Sequence, residues 1–210
     1  MSDTFSAMET SFDFPWPKSI TGLERITLTS PGNLQRTLSV YFGKPITVEQ
    51  TWQIPASGAI ESASPEHPIT KVREVTLSIE GKAVCLCISN ITMTTPRAAR
   101  LFLEEKHAVD QMYRMLGRNP EFTLVNVGID ENISGGQQLW RSYKLATEGF
   151  ECEIREIFPD RRIFSGECWD KIAGSRAAAL PAKFAPFNPI NPENSASLLG
   201  PTPSATSVGA

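Results

Sequence analysis

Residues 139–158 read LWRSYKLATEGFECEIREIF. Glu148-Gly149, near the middle, is a turn signal, and side chains of like character recur at every second position on either side of it. That period predicts two antiparallel strands joined by a two-residue turn. In the resulting register Leu145 faces Cys152, Tyr143 faces Ile154 and Arg141 faces Glu156 on one side. On the other side Lys144 faces Glu153 and Ser142 faces Arg155. A slip of one residue would break this charge matching and scatter the apolar face. Glu156 lies on the face that carries Cys152, Ile154 and Phe158. A carboxylate is rarely buried without a partner, so Arg141 is its expected counter-ion.

A second hairpin is expected in VREVTLSIEGKAVCLCIS, residues 72–89, turning at Glu80-Gly81. Strict alternation puts Val75, Leu77, Ile79, Val84, Leu86 and Ile88 on one face together with Arg73, and Glu74, Thr76, Cys85 and Cys87 on the other. An arginine among aliphatic side chains needs an anion, and a carboxylate matches its fork. The inward charges are then Arg73, Arg141 and Glu156, with Gln50 and Tyr143 as polar companions. Two cations against one carboxylate leave a surplus positive charge. A structural pair would balance, whereas a site waiting for an anionic ligand would not.

The remaining elements follow from punctuation and period. Ser30 and Pro31 open a helix that Gly43 and Pro45 close, with Leu34, Leu38, Tyr41 and Phe42 on its apolar side. A strand over 46–54 turns Ile46, Val48, Gln50, Trp52 and Ile54 one way. Thr95 and Pro96 start a long helix ending at Gly117, with Phe102, Val109, Met112 and Leu116 as its buried stripe. A further strand is read over 121–129. Residues 1–20 read as a flexible arm, 21–173 as the folded domain, and 174–210 as a Pro/Ala/Ser-rich, mostly disordered tail. Hairpin, helix, hairpin predicts an α+β fold: one antiparallel sheet with helices packed on one face.

The chain has 210 residues, is 40% hydrophobic and carries a net charge of −3, which suits one core-bearing domain. No basic stripe points to nucleic acid, and no apolar run approaches the roughly 20 residues that span a bilayer. The polar, acidic start lacks a secretory pattern, so a cytoplasmic location is expected. The four cysteines read as small free hydrophobes. His67 sits in a Pro-rich loop, and His107 reads as a solvated helix residue. Neither has a companion at metal-ligand spacing, so no metal is expected.

Three segments, RITLTSPGNLQRTLSVYFGKPITVEQ (25–50), the first hairpin and LWRSYKLATEGFECEIREIFP (139–159), resemble the chorismate–pyruvate lyase family. The resemblance covers residues 23–160 and implies a chorismate-lyase-like fold, a six-stranded antiparallel sheet with flap-like segments over a buried site. It further implies pyruvate elimination from chorismate, without a cofactor, to give 4-hydroxybenzoate. Carried over by motif, the ligand arginine falls on Arg73, the acidic residue on Glu156 and the apolar flap residue on Leu34. Arg141 and Tyr143 join them as candidate substrate contacts. Two positions depart from the family pattern. Glu121 takes the middle of a turn whose backbone amide helps hold a substrate carboxylate, and Ile88 replaces a polar residue.

These residues imply a lyase acting on chorismate or a similar carboxylated enol ether. Two further readings stand beside it. One is a cyclase or isomerase of secondary metabolism that reuses the pocket with Glu156 as acid/base. The other is a non-catalytic aromatic-acid-binding domain. In each case the partner is a small carboxylate, and the chain acts as a monomer or dimer.

Overall fold

A computed structural model describes residues 2–5, 10–56, 58–132, 135–167 and 169. In chain order the elements are strands β1 (Ser2–Phe5) and β2 (Thr10–Asp13), helices α1 (Gly22–Leu28) and α2 (Leu34–Phe42), and strand β3 (Thr47–Ile54). Then come β4 (Ile69–Ile79), β5 (Lys82–Met93), α3 (Pro96–Leu103), α4 (Val109–Leu116), β6 (Glu121–Glu131), β7 (Gln137–Thr147) and β8 (Phe150–Phe158). β1 and β2 pair with each other. The other six strands form one antiparallel sheet in the order β3-β4-β5-β8-β7-β6.

The β7–β8 register is the one read from the sequence: Leu145 opposite Cys152, Tyr143 opposite Ile154 and Arg141 opposite Glu156. Gly149 holds the turn at φ +83°, a conformation costly for side-chain-bearing residues. The β4–β5 hairpin also turns at Glu80-Gly81, but its faces differ from strict alternation. Leu77 pairs with Cys85 and Ser78 with Ala83, so Val84 is an extra residue on β5. This bulge turns Cys85, Cys87 and Ser89 to the side of Arg73, Val75 and Leu77, and sends Leu86 and Ile88 to the opposite face. Ile88 is therefore not a site position. A second bulge, between Gln50 and Trp52 of β3, leaves Gln50 paired with Val75 and Gln53 with Arg73. Ile54 then opposes Val72 and is 47% exposed rather than sharing the face of Val48.

The helices lie on one face. Leu28, Leu38, Phe102 and Met112 form a single core with inner-face residues such as Ile91, Leu139, Cys152 and Phe158. Leu86 and Ile157, though buried, are not part of that cluster. Residues 12–20, read as part of a flexible arm, pack on the body through Phe14 and Ile20. The disordered tail expected over 174–210 lies outside the described residues.

Three helical features depart from expectation. α1 has no counterpart in the reading above, yet Thr21-x-x-Glu24 is a capping box. The Thr21 hydroxyl accepts from the Glu24 amide at 3.3 Å, and the Thr21 amide donates to Glu24 Oε2 at 2.7 Å. α2 begins at Leu34, because Gly32 (φ +93°) and Asn33 (φ +57°) turn the chain sharply beforehand. The single helix expected over 96–117 keeps its predicted ends, Thr95 as cap and Gly117 as left-handed terminator. It breaks at residues 104–108, where Lys106 takes φ +58°. Tertiary packing explains the break. Phe102 and Tyr113 each contact the Phe150 ring with centroids 5.6 Å apart. Eleven residues of straight helix would separate them by about 16 Å, too far to share one ring.

Candidate functional site

The carboxylate on the inner face has two partners. Arg141 Nε donates to Glu156 Oε2 at 2.6 Å, and the Tyr143 hydroxyl donates to Glu156 Oε1 at 2.8 Å. Arg141 is fully buried and Glu156 is 3% exposed. Arg141 Nη1 also donates to the carbonyls of Thr27 (3.2 Å), Leu28 (2.8 Å) and Ser30 (2.8 Å), the C-terminal end of α1. A guanidinium there satisfies orphan carbonyls and complements the helix dipole. Its carbon lies 4.3 Å from the centroid of the Tyr143 ring. Burial alone would lower the Arg141 pKa, but the Glu156 carboxylate outweighs it and holds it above the usual value. Burial, then the Glu156 charge, pushes the Tyr143 phenol well above its ordinary range, so Tyr143 remains a donor.

Arg73 is different. Its Nε is buried with no hydrogen-bond partner, and it has no ion pair among the described residues. It contacts the Phe102 ring, 5.3 Å from carbon to centroid. Burial lowers its pKa, opposed by the surroundings of Cys152, Cys87 and Asp110, and a guanidinium stays charged regardless. The surplus cation expected from the sequence is therefore Arg73, since Arg141 is neutralised by Glu156.

Arg73 lies on the wall of a cavity of about 720 Å³. The inner face of the sheet supplies Leu77, Cys87, Tyr143, Ile154 and Glu156. α2 supplies Leu34, and α4 supplies Val109 and Tyr113. Leu34, the apolar residue named from the motif, lines the cavity. Arg141 lies behind the wall, in contact with Glu156 but outside the lining. Glu121 is not brought to the site. It is exposed and opposes Ala146, on the sheet face away from Phe122 and Leu124.

Cys87 enters the cavity only because of the β5 bulge, so alternation alone missed it. Tyr113 sits at a buried helical position and donates its hydroxyl to the Leu145 carbonyl at 3.2 Å. Lys71, two residues before Arg73, shares its face, as alternation along the strand dictates. His107 lies in the break between α3 and α4, not on a helix, with Nε2 3.1 Å from Glu105 Oε2. Among the described residues no group of three or more His, Cys, Asp or Glu side chains is arranged to hold a metal. None of the described helices is long and apolar enough to cross a membrane.

A cavity that brings the unpaired Arg73 guanidinium and the Glu156 carboxylate together with apolar side chains, with Asp110, Arg114 and Arg118 also in its lining, can hold a small organic acid. Both Glu156 oxygens already accept hydrogen bonds, which matches an acceptor or base rather than a proton donor.

No protein-family model matches the chain. No curated protein matches it. Among solved structures, a possible transcriptional regulator YydK from Bacillus subtilis is similar at 14% identity. The match has a TM-score of 0.36 and covers 54% of this chain and 57% of that one.

Proposed function

We propose that the chain is a cofactor-independent, chorismate-lyase-like enzyme. It binds a small carboxylic acid with an enol-ether or aromatic body and eliminates pyruvate to leave a 4-hydroxybenzoate-type product. One observation carries this reading: Arg73, the uncompensated inner-face cation, shares a cavity with Glu156 and with apolar side chains such as Leu34, Leu77, Val109 and Ile154. A bidentate contact from Arg73 would hold the substrate carboxylate. Glu156, fixed by Arg141 and Tyr143, would receive the ring proton as the ring carbon–oxygen bond to the enolpyruvyl group breaks, the departing enolpyruvate then taking up a proton on carbon to become pyruvate. Desolvation by Leu34, Val109 and Tyr113 would strengthen both interactions.

The test is to mix the purified full chain with chorismate and to follow pyruvate and 4-hydroxybenzoate together. Equal appearance of both products is expected. No turnover at high enzyme concentration removes the lyase.

The engagement of both Glu156 oxygens by internal donors, one bond each, favours a second reading, an aromatic-acid-binding domain without turnover. It predicts saturable 4-hydroxybenzoate binding with no pyruvate released. A cyclase or isomerase would instead consume a related acid without releasing pyruvate.

A further inference from the structure

Arg73 also borders a second, smaller cavity of about 260 Å³. A bulge in β3 and a helix break build it. The β3 bulge brings Gln50 and Gln53 to the same wall, although they are three residues apart. Lys71 and Arg73 come from β4, and the break after α3 supplies Lys106 and His107. Phe102 forms part of the wall, with Lys71 Nζ 5.9 Å and the Arg73 guanidinium carbon 5.3 Å from its ring centroid. No carboxylate lines this cavity. Lys71, Arg73 and Lys106 have no ion-pair partner among the described residues, and the nearby Glu105 is engaged by His107.

We propose that this cavity is a site for a compact oxyanion of about two negative charges, a phosphoryl group, held by Lys71, Arg73 and Lys106 with Gln50 and Gln53 as amide donors. A planar carboxylate is satisfied by one fork from one side. Here the donors converge from β3, β4 and the α3–α4 break, which suits the tetrahedral spread of phosphoryl oxygens. Three cations also exceed what a single carboxylate neutralises. Repulsion among them supports the same assignment. Burial, then the neighbouring Arg73 and Lys106 charges, lowers the pKa of Lys71, so an anion between them removes an existing cost. The site depends on the reading of the larger cavity only through the shared Arg73.

Titration of the full chain with inorganic phosphate at low ionic strength, followed by calorimetry, tests the assignment. Saturable binding is expected that weakens with added salt. Lys71→Met and Lys106→Met together should weaken it by roughly tenfold or more. The same double variant should keep its melting temperature and its affinity for 4-hydroxybenzoate, since neither lysine lines the larger cavity. Acetate should not compete with phosphate. No saturable binding, an unchanged affinity in the double variant, or equal competition by acetate would each overturn the phosphoryl site. Loss of 4-hydroxybenzoate binding with phosphate binding retained would instead count against the larger cavity's reading alone.

Discussion

Arg141 and Glu156 face each other across β7 and β8 at 2.6 Å, and the same guanidinium closes the C-terminal end of α1. The pair thus ties the helical layer to the middle of the sheet. It positions Glu156 without contributing a free charge to the cavity.

Breaking that pair is expected to be costly. Arg141→Met leaves Glu156 buried without its counter-ion and the α1 carbonyls unsatisfied, at a cost of about 3–5 kcal/mol. Glu156→Gln strands the arginine in the same way, so a loss of turnover in that variant must be read beside its urea midpoint. The double change Arg141→Met with Glu156→Leu should recover only the part owed to an unpaired buried charge, because the α1 carbonyls and the Tyr143 hydroxyl still lose their partners. Urea unfolding of the three variants checks this. A double variant less stable than either single one would show that the pair is net stabilising.

Arg73→Met should have the opposite signature. No internal carboxylate depends on Arg73, so its removal should leave the melting temperature unchanged or raise it. The affinity for 4-hydroxybenzoate should fall by roughly 10- to 100-fold, the worth of a charged hydrogen-bonded contact. Arg73→Lys should recover only part, since an ammonium offers no fork. Calorimetric titration decides it, and an unchanged affinity in Arg73→Met would remove that residue from the site.

Gly149→Ala should destabilise the fold by roughly 1–3 kcal/mol. The backbone there is at φ +83°, and an added Cβ would lie 2.7 Å from Thr95 Oγ1, the cap of α3. Thr95→Ala alone should cost about 1 kcal/mol as a lost cap. In the double variant the Cβ has fewer atoms to meet, so the two losses should sum to less than their separate values. Thermal denaturation of the three proteins tests this, and full additivity would argue against a direct clash.

Cys152 sets an alkaline limit. Burial pushes its thiol up to about 12, against the pull of Arg73 and Ser89. The unfolded thiol gives up its proton near 9, so the folded state holds that proton more tightly. The corresponding stability is intact below pH 9 and is lost as pH rises through 12. Cys152→Ala should flatten the fall in stability over that window, measured by urea unfolding at successive pH values. At pH 8 the native protein should also resist alkylation at Cys152 until denatured.

The extent to which the sequence could be read varies with the kind of feature. Alternation and two Glu-Gly turns are local signals, and they placed Arg141 opposite Glu156 in register. The helix ends at Thr95 and Gly117 were legible for the same reason, because caps are set by neighbouring residues. The bulges at Val84 and Thr51 carry no glycine or proline, so nothing local marks them. One extra residue inverts every later side chain on its strand, which is why Cys87 belongs to the cavity and Ile88 does not.

By itself the sequence determined an α+β chain with two hairpins, an inward carboxylate and more inward cations than anions. Periodicity and turn chemistry act over a few residues and need no distant partner. Register already set Arg141 against Glu156; only the tertiary structure decided that α1 carbonyls more than a hundred positions away also claim Arg141 and that Arg73 Nε is buried without a partner. It also decided that Lys106 and His107 join Lys71 and Arg73, since packing of Phe102 and Tyr113 on Phe150 breaks a helix that local propensity would have kept whole.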